Sequence, residues 1–189
     1  SVVKRIIQGD VGSGKTIVAL AGLFHTAGSL KQGAMMAPTE LLARQHYEGI
    51  RDLCLKSNIN VNILTGKTKQ KDREKILKDL KEGKIDIIIG THALFQEKVV
   101  FNDLGLVVID EQHRFGVHQR LSLTSKSKDY PPDILIMSAT PIPRTLELTA
   151  FGSMQVSRLL DKPKGRKPIK TIAKPINKLS EVIDSIERL

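Results

Sequence analysis

Residues 6–20, IIQGDVGSGKTIVAL, run from an apolar segment through a glycine-rich loop into a segment of helical character. Gly9-Asp10-Val11-Gly12-Ser13-Gly14-Lys15-Thr16 fits G-x-x-x-x-G-K-[ST], and its place between a predicted strand and a predicted helix is the context that the pattern requires. Such a loop is a phosphate cradle. Its glycines let backbone N–H groups converge on phosphate oxygens, and the helix expected to start near Gly14 adds its positive end. Lys15 would neutralise the β- and γ-phosphates of ATP, while the Thr16 hydroxyl would ligate Mg²⁺.

A cradle of this kind needs a metal anchor, and residues 104–113, LGLVVIDEQH, offer one. An apolar strand delivers Asp110 and Glu111 at its C-terminal end, the place where open α/β sheets bind ligands. Asp110 would hold Mg²⁺ through its water shell, and Glu111 would orient and deprotonate the attacking water. Two acids after a strand are also common as solvated turn residues. The P-loop upstream is what gives this pair its catalytic reading.

Outward from these two motifs, short β-rich runs alternate with longer segments of helical period, which argues for an α/β fold with a mostly parallel sheet and helices on both faces. The predicted strands are 4–8, 34–37, 60–64, 85–89, 106–109 and 134–137; the predicted helices are 14–26, 39–56, 69–82, 116–124 and 143–151. Several strands are almost wholly apolar, as strands covered on both faces should be. A chain of 189 residues has room for one domain with a buried core and a piece of another. Near Leu160 the texture changes to LLDKPKGRKPIKTIAKPINK, rich in Lys and Pro, which suits an exposed linker. The following LSEVIDSIERL takes Ser180 as its expected N-cap and sets Leu179, Val182, Ile183, Ile186 and Leu189 along one face. Residues 1–160 therefore read as one nucleotide-binding domain and 161–189 as a linker leading into a second.

Composition narrows the partners. Thirty Lys+Arg against 20 Asp+Glu give a net charge of +10, which points to a polyanion, nucleic acid above all. No apolar run reaches membrane-spanning length. Cys54 is the single cysteine, so an internal disulfide and a cysteine-based zinc site are excluded; a core thiol in a reducing cytoplasm is the expectation. The histidines lack a metal-ligand spacing such as H-E-x-x-H. Aromatic residues make up 4% with no Trp, so backbone tracking by charge is expected over base stacking, with binding that weakens steeply in salt. The basic stretch 67–84 carries Ile76, Leu77 and Leu80 as an ordinary buried stripe, and reads as a solvated helix face.

Taken in order, GDVGSGKT, APTELLARQ, the tetrad Asp110-Glu111-Gln112-His113 and Ser138-Ala139-Thr140 resemble motifs I, Ia, II and III of superfamily 2 helicases, whose motor lobes are RecA-like P-loop NTPase domains. More narrowly, IIIGTHALFQ, VVIDEQHRFGVHQR, SATPIPRTLELTAFG and GRKPIKT resemble the RecG family of bacterial fork-remodelling helicases. RFGV and ATPIPRTL are also similar to the Mfd-like transcription-repair translocases, although the DEQH tetrad and GRKPIKT fit the RecG family better.

The resemblance implies a cytoplasmic, nucleoid-associated ATP-dependent motor that remodels forks and Holliday junctions, of which this chain carries the first lobe, without the second lobe's arginine finger or the upstream wedge domain. It implies DNA contacts from Pro38, Thr39 and Glu40, where a helix N-terminus suits a phosphate, and from Thr65-Gly66 and Thr91-His92 after two strand ends. It also implies that His113, Ser138 and Thr140 sense the γ-phosphate and pass its presence to the DNA face, with Lys15, Asp110, Glu111 and His113 as the catalytic set. Read without it, Thr39 is a simple N-cap, the two Gly-Thr turns are ordinary turns, and His113 is a surface group beside two acids. Two rivals stand beside the motor: a P-loop phosphotransferase, for which no acceptor pocket or lid is legible, and a pure nucleic-acid-binding module, which leaves the acid pair unexplained.

Overall fold

The computed structural model describes residues 2–110, 130–140, 154–160, 171 and 173–187. Seven strands form one sheet in the order β3-β4-β2-β5-β6-β1-β7, and all six pairings are parallel. They are β1 (Lys4–Gly9), β2 (Gln32–Met36), β3 (Val61–Leu64), β4 (Ile87–Gly90), β5 (Leu104–Asp110), β6 (Asp133–Ser138) and β7 (Gln155–Leu159). Between them run α1 (Lys15–Gly28), α2 (Glu40–Lys56) and α3 (Gln70–Lys81), and α4 (Leu179–Glu187) comes last. The parallel α/β sheet expected from the sequence is thus present. The expected helices 116–124 and 143–151, Glu111, His113 and most of GRKPIKT lie outside the described residues.

Handedness places the helices. The steps β1 to β2 and β2 to β3 move one way across the sheet, and the step β3 to β4 moves back. Right-handed crossovers therefore put α1 and α2 on one face and α3 on the other. The core divides accordingly. Ala19, Leu23, Ala43, Ile50 and Cys54 pack on Met35, Ile87, Ile89 and Val108. On the opposite face Ile76 and Leu80 join Met36, Ile88, Val107 and Ile109. Strand alternation sorts each apolar run into these two layers, which is why the runs show no period of their own. Burial, assisted by Asp86, pushes the Cys54 thiol up from its ordinary range, so it serves as a core group and not as a nucleophile.

Three local readings change. β7 has no counterpart among the predicted strands: it is an edge strand along β1 whose Gln155 and Arg158 are exposed, so its sequence carries little apolar signal. β2 begins at Gln32, two residues before the apolar run, because the Gln32 side chain is itself buried and bonded. Ser180 is not an N-cap. A short 3₁₀ turn, Ile176–Lys178, leads directly into α4 at Leu179, and Ser180 lies inside the helix.

Gly90 ends β4 where space is tightest. A Cβ there would run into the Leu64 carbonyl oxygen and lie 2.9 Å from Leu94 Cγ, and the Leu64 carbonyl belongs to the neighbouring strand. Gly90→Ala is expected to cost about 2 kcal/mol, the ordinary scale of overpacking. Thermal unfolding would show this as a loss of roughly 4–8 °C; an unchanged midpoint would mean that β3 and β4 separate freely.

Candidate functional site

The C-terminal ends of the strands form one edge, and the motif residues gather there. β1 ends at Gly9 and the chain turns through Gly12 (φ 83°) and Gly14 (φ 92°) before α1 begins at Lys15. Both conformations are left-handed, which glycine adopts without Cβ strain. Gly9 is held by close packing: a Cβ there would lie 2.5 Å from Ser13 Oγ and 3.0 Å from both Leu159 Cβ and the Leu159 carbonyl oxygen. β7, absent from the sequence reading, thus forms one wall of the loop. Lys15 Nζ donates to the carbonyls of Gly9 at 2.6 Å and Asp10 at 2.8 Å, closing the loop around the ammonium. Ser13 Oγ is buried without a hydrogen-bond partner among the described residues, an orphaned hydroxyl inside the cradle. Val11, Gly12 and Thr16 are exposed on its rim.

Asp110 is the last residue of β5 and has the parity of Leu106 and Val108, which puts its carboxylate on the face covered by α1 and α2. α1 packs across β5 and β6, so the helix that begins with Lys15 and Thr16 lies over the strand that ends in Asp110. One Asp110 oxygen, Oδ2, is 2.7 Å from His46 Nε2 on α2. The other, Oδ1, has no protein partner among the described residues. The Thr16 hydroxyl and the Asp110 carboxylate are hard oxygen donors, the chemistry that suits Mg²⁺.

Ser138, at the end of β6, is buried, and its hydroxyl donates to the Thr140 carbonyl at 3.1 Å. Gln8 Nε2 donates to the same carbonyl at 3.2 Å, and Arg158 Nε donates to Gln8 Oε1 at 3.2 Å. A polar string therefore runs from Ser138 and Thr140 across β1 to β7. It borders a cleft of about 230 Å³ beside the P-loop, lined by Gln8, Gly9, Asp10, Ala139, Arg158, Leu159 and Leu160.

On the other side of Asp110 lie the residues expected at DNA. Thr39 caps α2, its hydroxyl accepting from the Leu42 N–H at 3.3 Å, and Pro38 precedes it half-buried. Glu40 is held between two cations, Arg44 at 3.0 Å and Lys67 at 3.6 Å. The second ion pair joins the start of α2 to the turn at Thr65-Gly66, so these segments share one patch. Within that turn the Thr65 hydroxyl accepts from the Lys67 N–H at 3.3 Å and the Thr65 N–H donates to Thr68 Oγ1 at 2.9 Å. Thr65 and Thr91 are 2% and 5% exposed, which turns their hydroxyls inward, whereas Gly66, Lys67 and His92 face solvent. Arg73 Nη1 donates to the Thr65 carbonyl at 3.3 Å and Nη2 to Gln96 Oε1, tying this turn to the segment after β4. Sequence reasoning missed His46, Lys67 and Arg73. His46 directly follows the quoted motif Ia, seven positions after the cap, so motif extension was the signal that could have found it.

The DEAD/DEAH box helicase family model matches residues 3–149. The chain is 48% identical over 184 residues to the ATP-dependent DNA helicase RecG of Bacillus subtilis (strain 168), covering 97% of this chain and 27% of that protein. It is 48% identical over 184 residues to RecG of Escherichia coli (strain K12), with 96% and 27% covered. Among solved structures, RecG bound to a three-way DNA junction superposes with a TM-score of 0.79 at 43% identity, covering 98% of this chain and 25% of that one. The chain thus spans about a quarter of the length of the relatives it matches.

Proposed function

The chain belongs to the DEAD/DEAH box helicase family, and from that premise we propose that it is the nucleotide-binding motor lobe of an ATP-dependent DNA helicase that remodels branched DNA, like the RecG proteins it resembles. The observation that carries this reading is the shared edge: the P-loop, the Asp110 carboxylate and the cationic patch around Thr39 and Lys67 all lie at the C-terminal ends of one parallel sheet. ATP binding at one part of that edge and DNA at the next gives the cycle a short mechanical path.

In this mechanism Lys15 leaves the carbonyls of Gly9 and Asp10 and turns its ammonium to the β- and γ-phosphates, while the loop N–H groups and the start of α1 receive the remaining charge. Ser13 Oγ gains the partner it lacks from a phosphate oxygen. Thr16 and Asp110 would hold Mg²⁺, which supplies Lewis-acid stabilisation of the phosphoryl oxygens. Glu111 is the proposed base for the attacking water, with His113, Ser138 and Thr140 as the link that reports the γ-phosphate. At the DNA face, Thr39 and the start of α2 offer N–H donors to a backbone phosphate, and Arg44, Lys67 and His92 supply positive or donor groups. Glu40 positions Arg44 and Lys67, and contacts at the two Gly-Thr turns come from Gly66 and His92, since the threonine hydroxyls are inside.

Hydrolysis is proposed to need a second RecA-like lobe and its arginine finger, with a wedge domain engaging the junction, so that this lobe alone binds nucleotide weakly and turns over little. The test is ATP turnover by the full-length protein with and without forked DNA. Stimulation by the fork supports the reading, and turnover indifferent to DNA removes the helicase assignment.

A further inference from the structure

Among the described residues, the hydrogen-bond partner of the Asp110 carboxylate is on a different element. His46 Nε2 lies 2.7 Å from Asp110 Oδ2, and the two side chains are only 12% and 16% exposed. An ionised carboxylate only accepts, so the imidazole donates from Nε2. The neutral tautomer that carries its proton there is sufficient, and no change of charge is involved. The bond joins positions 64 apart in sequence, α2 to β5, in a partly desolvated place where a charge-assisted bond is short and strong.

We propose that His46 is a positioning residue for Asp110, fixing Oδ2 so that Oδ1 is presented toward the metal's water shell at the phosphates. The proposal rests on reading Asp110 as the metal-anchoring carboxylate. A carboxylate at a strand end has two side-chain torsions to settle, and α1, packed across β5, covers the same face without offering it a polar partner among the described residues. His46 removes that freedom from the second turn of α2, a helix pinned to the sheet by Ala43, Ile50 and Cys54. Partners that orient metal-binding carboxylates in this way typically change metal affinity by roughly 10–100-fold when removed.

The experiment is an Mg²⁺ titration of N-methylanthraniloyl-ADP fluorescence in the full-length protein, with nucleotide affinity in EDTA measured beside it. His46→Phe keeps a ring without a donor, and His46→Gln places an amide N–H near the Nε2 position. The expected result is that His46→Phe raises the Mg²⁺ needed for half-saturation by roughly tenfold or more. His46→Gln should recover most of that loss, affinity in EDTA should be unchanged, and adding His46→Phe to Asp110→Asn should cost nothing further. If Asp110→Asn weakens the Mg²⁺ response and His46→Phe does not, the positioning role is overturned and the metal reading stands. If Asp110→Asn itself titrates like the unsubstituted protein, the metal reading falls. Loss of EDTA-phase nucleotide binding in His46→Phe, or failure of His46→Gln to recover the response, would show a packing role and would also overturn the proposal.

Discussion

Replacing Lys15 with alanine in the full-length protein is expected, on the proposed motor reading, to lower DNA-stimulated ATP turnover by roughly 10²–10³-fold, the scale of losing one preorganised charge stabiliser in a phosphoryl or acyl transfer site. Two contributions act together. The ammonium is the cation inside the cradle, and its bonds to the Gly9 and Asp10 carbonyls hold the loop in shape before nucleotide arrives. Those two bonds are partly solvated, so their loss costs only about 1 kcal/mol each in stability. The variant should therefore fold, with a midpoint lowered by a few degrees, while turnover collapses. Turnover within a few-fold of the unsubstituted protein, in a folded Lys15→Ala variant, would sink the P-loop reading; loss of folding would be seen directly by circular dichroism.

The largest loss of stability outside the site is expected from Gln32→Met. Gln32 is 5% exposed and bonds four backbone groups from three segments. Its Nε2 donates to the carbonyls of Leu80 at 2.9 Å and Ile85 at 2.8 Å, and its Oε1 accepts from the N–H groups of Asn102 at 2.7 Å and Asp103 at 3.1 Å. The end of α3, the approach to β4 and the approach to β5 all converge on this one amide. Methionine has nearly the same length and no hydrogen-bonding capacity, so the Ile85 carbonyl and the Asn102 and Asp103 N–H groups would lose these bonds, while the Leu80 carbonyl would keep only the Gly83 N–H at 3.2 Å. Each orphaned group costs roughly 1–3 kcal/mol, and a total near 3 kcal/mol allows for water reaching the exposed Asn102 side. For a domain of this size that is roughly 6–12 °C in the unfolding midpoint. A shift under about 2 °C would mean that water replaces all four bonds, and the clamp would then have no structural weight.

These two predictions differ in how visible their residues were. Lys15 sits in a motif whose spacing is set by backbone geometry: six positions from Gly9 to Lys15 make one strand end, one turn and one helix start. Gln32 precedes an apolar run with nothing in the local pattern to single it out, and its four partners lie 48 to 71 positions away. The same contrast holds for Asp110. Its place at the end of an apolar strand was legible, because a strand buried on both faces announces itself by composition and its exit marks the ligand edge. The pairing of that carboxylate with His46 was not: extending motif Ia by one residue reaches the histidine, but nothing in the motif names a partner 64 positions away.

The sequence by itself determined the parallel α/β class, the P-loop, the acid at the end of β5, the cap at Thr39 and the buried stripe of α3. Each depends on the chemistry of a few consecutive residues or on a helical or strand period, and both are carried along the chain. Tertiary structure alone decided the rest. It placed β7, with its weak apolar signal, against Gly9, turned the Thr65 and Thr91 hydroxyls inward, paired Glu40 with Lys67, and brought His46 to Asp110. These outcomes depend on which strands become neighbours and which face each helix covers, set by right-handed crossovers and by burial summed over the whole sheet, and no short stretch of residues contains that information.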